Sequence, residues 1–184
     1  IDVIVHLTRC FDNNDITHVE GSVDPIRDIQ IIETELIMKD LESVEKKINK
    51  VGKVAKSGDK QATHQLEILN KILKYLNEGI ALNKVDFESV ELDYLSTLFL
   101  LTNKPVIYIA NIGEDDMSVQ SNAYSKKVEE YAHQYQSEFL ALCGNIEMEI
   151  SNLNKSDQAD YLAMYNLDFS GLDRLIQSAY SMLG

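Results

Sequence analysis

The sequence predicts an α/β protein: a parallel strand layer into which an antiparallel α-helical coiled-coil hairpin is inserted. Three observations predict it. The run Lys104-Pro105-Val106-Ile107-Tyr108-Ile109-Ala110 is apolar, rich in β-branched residues and broken by the polar loop Asn111-Ile112-Gly113-Glu114-Asp115-Asp116, the pattern of a buried parallel strand ending at its carboxyl edge. Two further strand-like runs, 1–7 and 138–142, alternate with helical patterns, and that order reads as a parallel layer. Between the first two strands, two stretches repeat apolar residues at alternating spacings of four and three, which is a heptad seam.

At 184 residues and 45% hydrophobic content the chain can bury a sizeable core. A net charge of −13 argues against a general DNA-binding or membrane-coating role. No apolar run approaches the roughly 20 residues that span a bilayer. Nothing at the N-terminus reads as a secretory signal, so a cytoplasmic location is expected. Cys10 and Cys143 lie far apart and form no zinc-spaced set, which fits two reduced thiols. The chain opens on Ile1 inside a strand pattern rather than on Met, and reads as part of something longer.

Taken in order, 1–7 is a strand in which His6 alternates away from Val3 and Val5, as a structural histidine does. Arg9-Cys10-Phe11 leads into a polar turn at 12–15 and a short segment at 16–21. Asp24 suits a helix N-cap and Pro25 the first helical position, with Asp28 near the positive end of the dipole. The first arm then runs for about 30 residues, about 45 Å, along the seam Ile37, Leu41, Val44, Ile48, Val51 and Ala55. Gly58 ends it and Asp59 caps the second arm, whose seam is Ala62, Leu66, Leu69, Leu73, Leu76 and Ile80. Gly79 closes that arm. A shorter helix is expected over 86–98, with Val90, Tyr94, Leu95 and Leu98 on one side. Ser121 or Asn122 caps a helix over 124–136. After the 138–142 strand comes the polar loop Cys143-Gly144-Asn145, then helices over 147–153, 156–165 and 170–183. The last shows an apolar face of Leu172, Leu175, Ile176, Ala179 and Leu183. The α/β layer is therefore expected over 1–23 and 84–184, and the hairpin over 24–83.

Particular motifs go further. Arg9-Cys10-Phe11, the run His18-Val19-Glu20-Gly21-Ser22-Val23-Asp24-Pro25-Ile26-Arg27-Asp28-Ile29, and Thr34-Glu35-Leu36 resemble the signature of the Obg-like ATPase (YchF) family. So do Leu100-Leu101-Thr102-Asn103-Lys104-Pro105-Val106, Tyr108-Ile109-Ala110-Asn111, Cys143-Gly144-Asn145-Ile146-Glu147-Met148-Glu149-Ile150 and Gly171-Leu172-Asp173-Arg174-Leu175-Ile176. The resemblance implies the second half of a P-loop NTPase G-domain with an inserted helical hairpin, in a ribosome-associated protein that prefers ATP to GTP. The sequence contains no Gly-x-x-x-x-Gly-Lys-Ser/Thr loop. The phosphate cradle and the Mg²⁺ ligands are thus expected outside it, no catalytic residue within it, and no hydrolysis by this stretch alone.

Within that resemblance, Asn111-Ile112-Gly113-Glu114 stands where most G-domains have Asn-Lys-x-Asp. Ligands of open α/β sheets bind outside the carboxyl ends of strands, so Asn111, Ile112, Gly113 and Glu114, with Cys143, Gly144 and Asn145 in the neighbouring loop, are the expected nucleotide-binding residues. Guanine offers two donors to a carboxylate, whereas adenine sets an N6 donor beside an N1 acceptor. Glu114 is one methylene longer than the usual Asp and need not take the guanine-reading position; it either meets the base or caps its loop. Asn111 can donate to N7 and accept from adenine N6. Ile112 offers apolar contact to the base, and backbone groups at Ile112 and Gly113 can supply further hydrogen bonds. Cys143 is either a small buried residue or a redox-sensitive thiol.

The hairpin tip differs from the rest of this acidic chain. Lys46, Lys47, Lys50, Lys53, Lys56 and Lys60 stand against Glu45 and Asp59 between 44 and 60. The seam positions face the partner arm, so the lysines point outward. They form either a solvated helix surface or a contact for ribosomal RNA phosphates.

Overall fold

Three strands, β1 (Ile4–Arg9), β2 (Val106–Asn111) and β3 (Glu138–Leu142), pair in parallel in that order in the computed structural model, which describes residues 1–12 and 22–184. The register runs from Ile4↔Val106 to Arg9↔Asn111, and from Ile107↔Glu138 to Asn111↔Leu142. The three strands therefore end level, at Arg9, Asn111 and Leu142, and their following loops emerge side by side. Most of the expected turn at 12–15 and the segment at 16–21 lie outside the described residues.

β2 is buried on both faces, as its unbroken apolar run requires. Val106, Tyr108 and Ala110 share one core with Val128 and Ala132 of α4 (Ala123–Gln134), Ile146 and Ile150 of α5 (Gly144–Asn152), and Leu162 of α6 (Lys155–Met164). Ile107 and Ile109 face the other side, where Leu175, Ala179 and Met182 of α7 (Gly171–Leu183) pack. The expected apolar face of this last helix is thus rotated: Leu172, Ile176 and Leu183 are exposed, and Met182 takes a place in the contact. α7 carries two apolar stripes, and the one centred on Leu175 and Ala179 meets the sheet.

β1 starts and ends later than the sequence suggests. Ile4 and His6 turn inward, and the His6 ring lies 5.7 Å from that of Tyr108, in keeping with a structural histidine. The next residue past β1, Cys10, is fully buried, and burial, aided by the charge of Asp28, pushes its thiol up to about 12 from an ordinary value of 9.0. The folded state therefore favours the neutral thiol. Its contribution is complete below pH 9 and is lost as pH rises from 9 toward 12, by up to about 1.4 kcal/mol per pH unit. Urea unfolding at pH 8 and pH 11 checks this: the alkaline loss of stability should be smaller in Cys10→Ala than in the wild type.

The hairpin is built from α1 (Pro25–Ala55) and α2 (Lys60–Asn77). Asp24 Oδ1 accepts from the Arg27 N–H at 3.2 Å, and Asp59 Oδ1 accepts from the Ala62 N–H at 2.7 Å, so both expected caps form. Gly58 and Gly79 adopt φ of +89° and +74°, which only glycine takes without strain. Both seams enter one core, except that α2 ends at Asn77, short of the expected seam position Ile80: Ile37, Val44, Val51, Ala62, Leu69 and Leu76 are buried, with Leu41, Ile48, Ala55, Leu66 and Leu73 packed against them. Ile68 and Ile72 are buried as well, because Leu82, Leu95 and Leu100 join the same core and α2 buries a second stripe. The short helix after the hairpin, α3 (Ser89–Ser96), opens with a Glu88/Glu91 capping box and buries Leu95, but Val90 is exposed, a correction to its expected apolar side.

One buried carboxylate organises the segment after α3. Asp40 Oδ1 accepts from the Leu101 N–H at 2.9 Å, and Oδ2 accepts from both the N–H and the hydroxyl of Thr102 at 2.7 Å. The chain divides into two compact units, Ile1 with Gln30–Lys104 and Asp2–Ile29 with Pro105–Gly184. The divisions thus fall at 29/30 and 104/105 rather than at the expected 23/24 and 83/84. The physical reason is that 82–100 packs into the hairpin's core and Ile29 into the sheet's.

Candidate nucleotide-binding site

Because the strands end level, the loops after β1, β2 and β3 form one cleft. It measures about 280 Å³ and is lined by Phe11, Asn111, Ile112, Gly113, Glu114, Asp115, Cys143, Gly144 and Asn145. All seven residues expected from the sequence at a nucleotide are thus brought together. The cleft is smaller than the roughly 300–1,000 Å³ of pockets that enclose a drug-sized ligand; it has room for a ring rather than a whole nucleotide.

Asn111 ends β2, and its Oδ1 accepts from the Gly144 N–H at 3.0 Å. The side-chain oxygen is therefore already engaged, and Nδ2 is the group left to act as donor. The oxygen keeps a second lone pair, so one further acceptor position of the two-way role expected for the amide stays open. A Cβ at Gly144 would stand 3.6 Å from that Oδ1. Ile112 is 1% exposed and belongs to the sheet core, so its side chain turns inward rather than presenting an apolar face to the cleft. The Ile112 N–H donates to Leu142 O at 2.9 Å, fastening the second loop to β3.

Glu114 begins a single 3-10 turn, Glu114–Asp116, and its Oε1 accepts from Asn145 Nδ2 at 3.0 Å. Across the cleft, α5 starts at Gly144, three residues earlier than its sequence pattern suggests, with Cys143 in the N-cap position. Cys143 is 3% exposed, which matches the small buried residue of the two readings. Its carbonyl accepts from the Glu147 N–H at 3.0 Å. Glu147 in turn accepts from the Gly171 and Leu172 N–H groups at 2.6 and 3.0 Å, tying the start of α7 to α5. A Cβ on Gly171 would come within 2.7 Å of both Glu147 Oε1 and Leu142 Cβ, so this close approach needs glycine.

Sequence alone does not single out Phe11 and Asp115, which line the cleft, or Asn122, which braces its loops. Phe11 lines the cleft, with the Arg9 guanidinium 4.9 Å above its ring and Arg9 Nε donating to its carbonyl at 3.0 Å. Its signal was its place in Arg9-Cys10-Phe11. Asn122 caps α4 through Oδ1, which accepts from the Tyr124 and Ser125 N–H groups. Its Nδ2 donates to Cys10 O and to Asp116 Oδ2, both at 2.7 Å. One amide thus joins two cleft loops to a helix start, whereas sequence alone offers it only as one of two caps.

The six lysines of the hairpin tip, Lys46, Lys47, Lys50, Lys53, Lys56 and Lys60, are all exposed. No ion pair among the described residues engages any of them. No described helix is long and apolar enough to cross a membrane.

A parallel sheet with a cleft at its strand ends, in a chain that also carries a helical hairpin, defines a G-domain layer of the P-loop NTPase class. No family model matches the chain. The chain is 40% identical over 185 residues to the ribosome-binding ATPase YchF of Bacillus subtilis (strain 168), covering 100% of this chain and 50% of that protein. It is also 40% identical over 182 residues to the protein of the same name from Haemophilus ducreyi, covering 99% and 50%. The structure of the Schizosaccharomyces pombe YchF GTPase superposes with a TM-score of 0.86 at 31% identity, covering 100% of this chain and 50% of that one. The chain belongs to the Obg-like ATPase (YchF) family and spans about half the length of the relatives it matches.

Proposed function

We propose that this chain is the purine-binding segment of a cytoplasmic, ribosome-associated NTPase that prefers ATP to GTP, with the helical hairpin as an inserted domain. The observation that carries the reading is the cleft itself: Asn111 Nδ2 is left as a donor at the end of β2, beside Glu114 and facing the start of α5. A donor at that place suits purine N7. Glu114 and Ile112, where guanine readers carry Asp and Lys, support the adenine preference. One well-made bidentate base contact discriminates by about 1–3 kcal/mol, so ATP should bind the intact protein about tenfold or more tighter than GTP. Calorimetric titration with both nucleotides checks this; equal affinities, or tighter GTP, contradict it.

Among the described residues no group of three or more His, Cys, Asp or Glu side chains is placed to hold a metal, and the sequence has no phosphate loop. Without a phosphate loop, the 184-residue chain alone is expected to turn over neither nucleotide.

The ribosomal part of the proposal rests on the tip. Six exposed lysines without ion-pair partners among the described residues form a cationic surface on an acidic chain. Each phosphate neutralised contributes about 0.7–0.9 to the slope of log affinity against log salt. Lys46→Glu/Lys50→Glu/Lys53→Glu in the intact protein should therefore weaken ribosome co-sedimentation and flatten its salt dependence by about two units or more. Circular dichroism checks that the hairpin stays folded. Unchanged binding and slope would leave the tip as a solvated surface.

A further inference from the structure

The cleft contains a contact that base reading does not require. Asn145 Nδ2 donates to Glu114 Oε1 at 3.0 Å, from the first turn of α5 to the loop after β2. Both ends are fixed by their backbones. Glu114 sits in a turn closed by the Asp116 N–H on Gly113 O at 3.2 Å and the Met117 N–H on Glu114 O at 3.1 Å. That turn is held further by Asn122 on Asp116. Asn145 follows Gly144, whose N–H is bonded to Asn111. The two side chains are exposed and still lose rotamer freedom when they meet, which is offset because a charge-assisted hydrogen bond is stronger than a neutral one.

Guanine is read by a carboxylate that turns both oxygens to N1–H and N2–H₂ in one plane, a bidentate arrangement. A carboxylate bonded through Oε1 to Asn145 is aimed along the line between the two loops. Turning both oxygens to guanine in one plane reorients that bond, so the two arrangements compete for the same carboxylate. Adenine sets a single N6 donor beside its N1 acceptor and makes no bidentate demand on this acid. The contact therefore burdens guanine more than adenine. The extra methylene of Glu114, relative to the Asp of guanine readers, supplies the reach.

We infer that Asn145 is a positioning residue for purine choice: it holds the Glu114 carboxylate out of the guanine-reading orientation. This rests on the base-reading function proposed above. The inference concerns the ratio of two affinities, which a general loosening of α5 would not move, since loosening weakens both nucleotides alike.

The test is calorimetric titration of the intact protein with ATP and with GTP, in the wild type, Asn145→Ala and Asn145→Ala/Glu114→Gln. Asn145→Ala should shift the ratio toward GTP by about tenfold, the size of one bidentate base contact. The shift should vanish in the double variant, because a carboxamide cannot accept from both guanine donors. Nucleotide binding with an unchanged ratio in Asn145→Ala overturns the clamp alone. A shift that persists without the Glu114 carboxylate also overturns it. Absence of binding by the wild-type protein overturns the base-reading function, and the clamp with it.

Discussion

Asp40→Ala is expected to cost about 2–4 kcal/mol of stability, enough to remove a large part of a domain's margin. The carboxylate is 2% exposed and accepts three hydrogen bonds, from two backbone N–H groups and one hydroxyl. Alanine leaves the Leu101 and Thr102 N–H groups without acceptors, at about 1–3 kcal/mol each. The Thr102 hydroxyl can rotate and loses less. Part of the cost is returned because a buried charge no longer needs to be desolvated. Asn, which keeps one oxygen but turns a donor toward a donor, should fall between the two. Urea unfolding gives the comparison, and a midpoint for Asp40→Ala equal to that of the wild type would show that these bonds contribute nothing net.

Asn111→Ala is expected to weaken ATP and GTP alike, by about tenfold or more, without changing their ratio. On the proposed base reading, Nδ2 donates to N7, which both purines carry. The substitution also removes the acceptor of the Gly144 N–H, so α5 loses its tie to β2 and the cleft loses its alignment. That second effect is again blind to the base. Titration of the intact protein with both nucleotides distinguishes this result from a specificity change. A loss confined to one nucleotide would show that Asn111 reads the six-membered edge of the ring after all.

Much of this was legible in the sequence because single residues carried it. Pro105 and the β-branched run after it specify a buried strand, and Asn111 with Glu114 mark its carboxyl end. Asp24, Gly58, Asp59 and Gly79 punctuate the hairpin where local backbone chemistry dictates. What stayed hidden depends on a partner distant in sequence. Periodicity could not choose between the two stripes of α7, since Leu175 and Ala179 win only when β3 is beside them. Ile112 reads as a loop residue, yet it is drawn into the core under the cleft. The engaged oxygen of Asn111 and the Glu114–Asn145 contact each need two loops brought together by strand register.

That register has a kinetic side. β1 and β2 pair residue for residue although about a hundred positions separate Ile4 from Val106, and closing so long a loop is slow and entropically costly. Helices joined by a four-residue turn at 56–59 face no such delay. An early hairpin folds most of the intervening chain back on itself, so the search by β1 for β2 covers a few tens of free residues instead. The entropy recovered is about 1 kcal/mol. Seen this way, the long insertion does not slow formation of the sheet it interrupts; it acts as the clip that draws the two ends of the loop together.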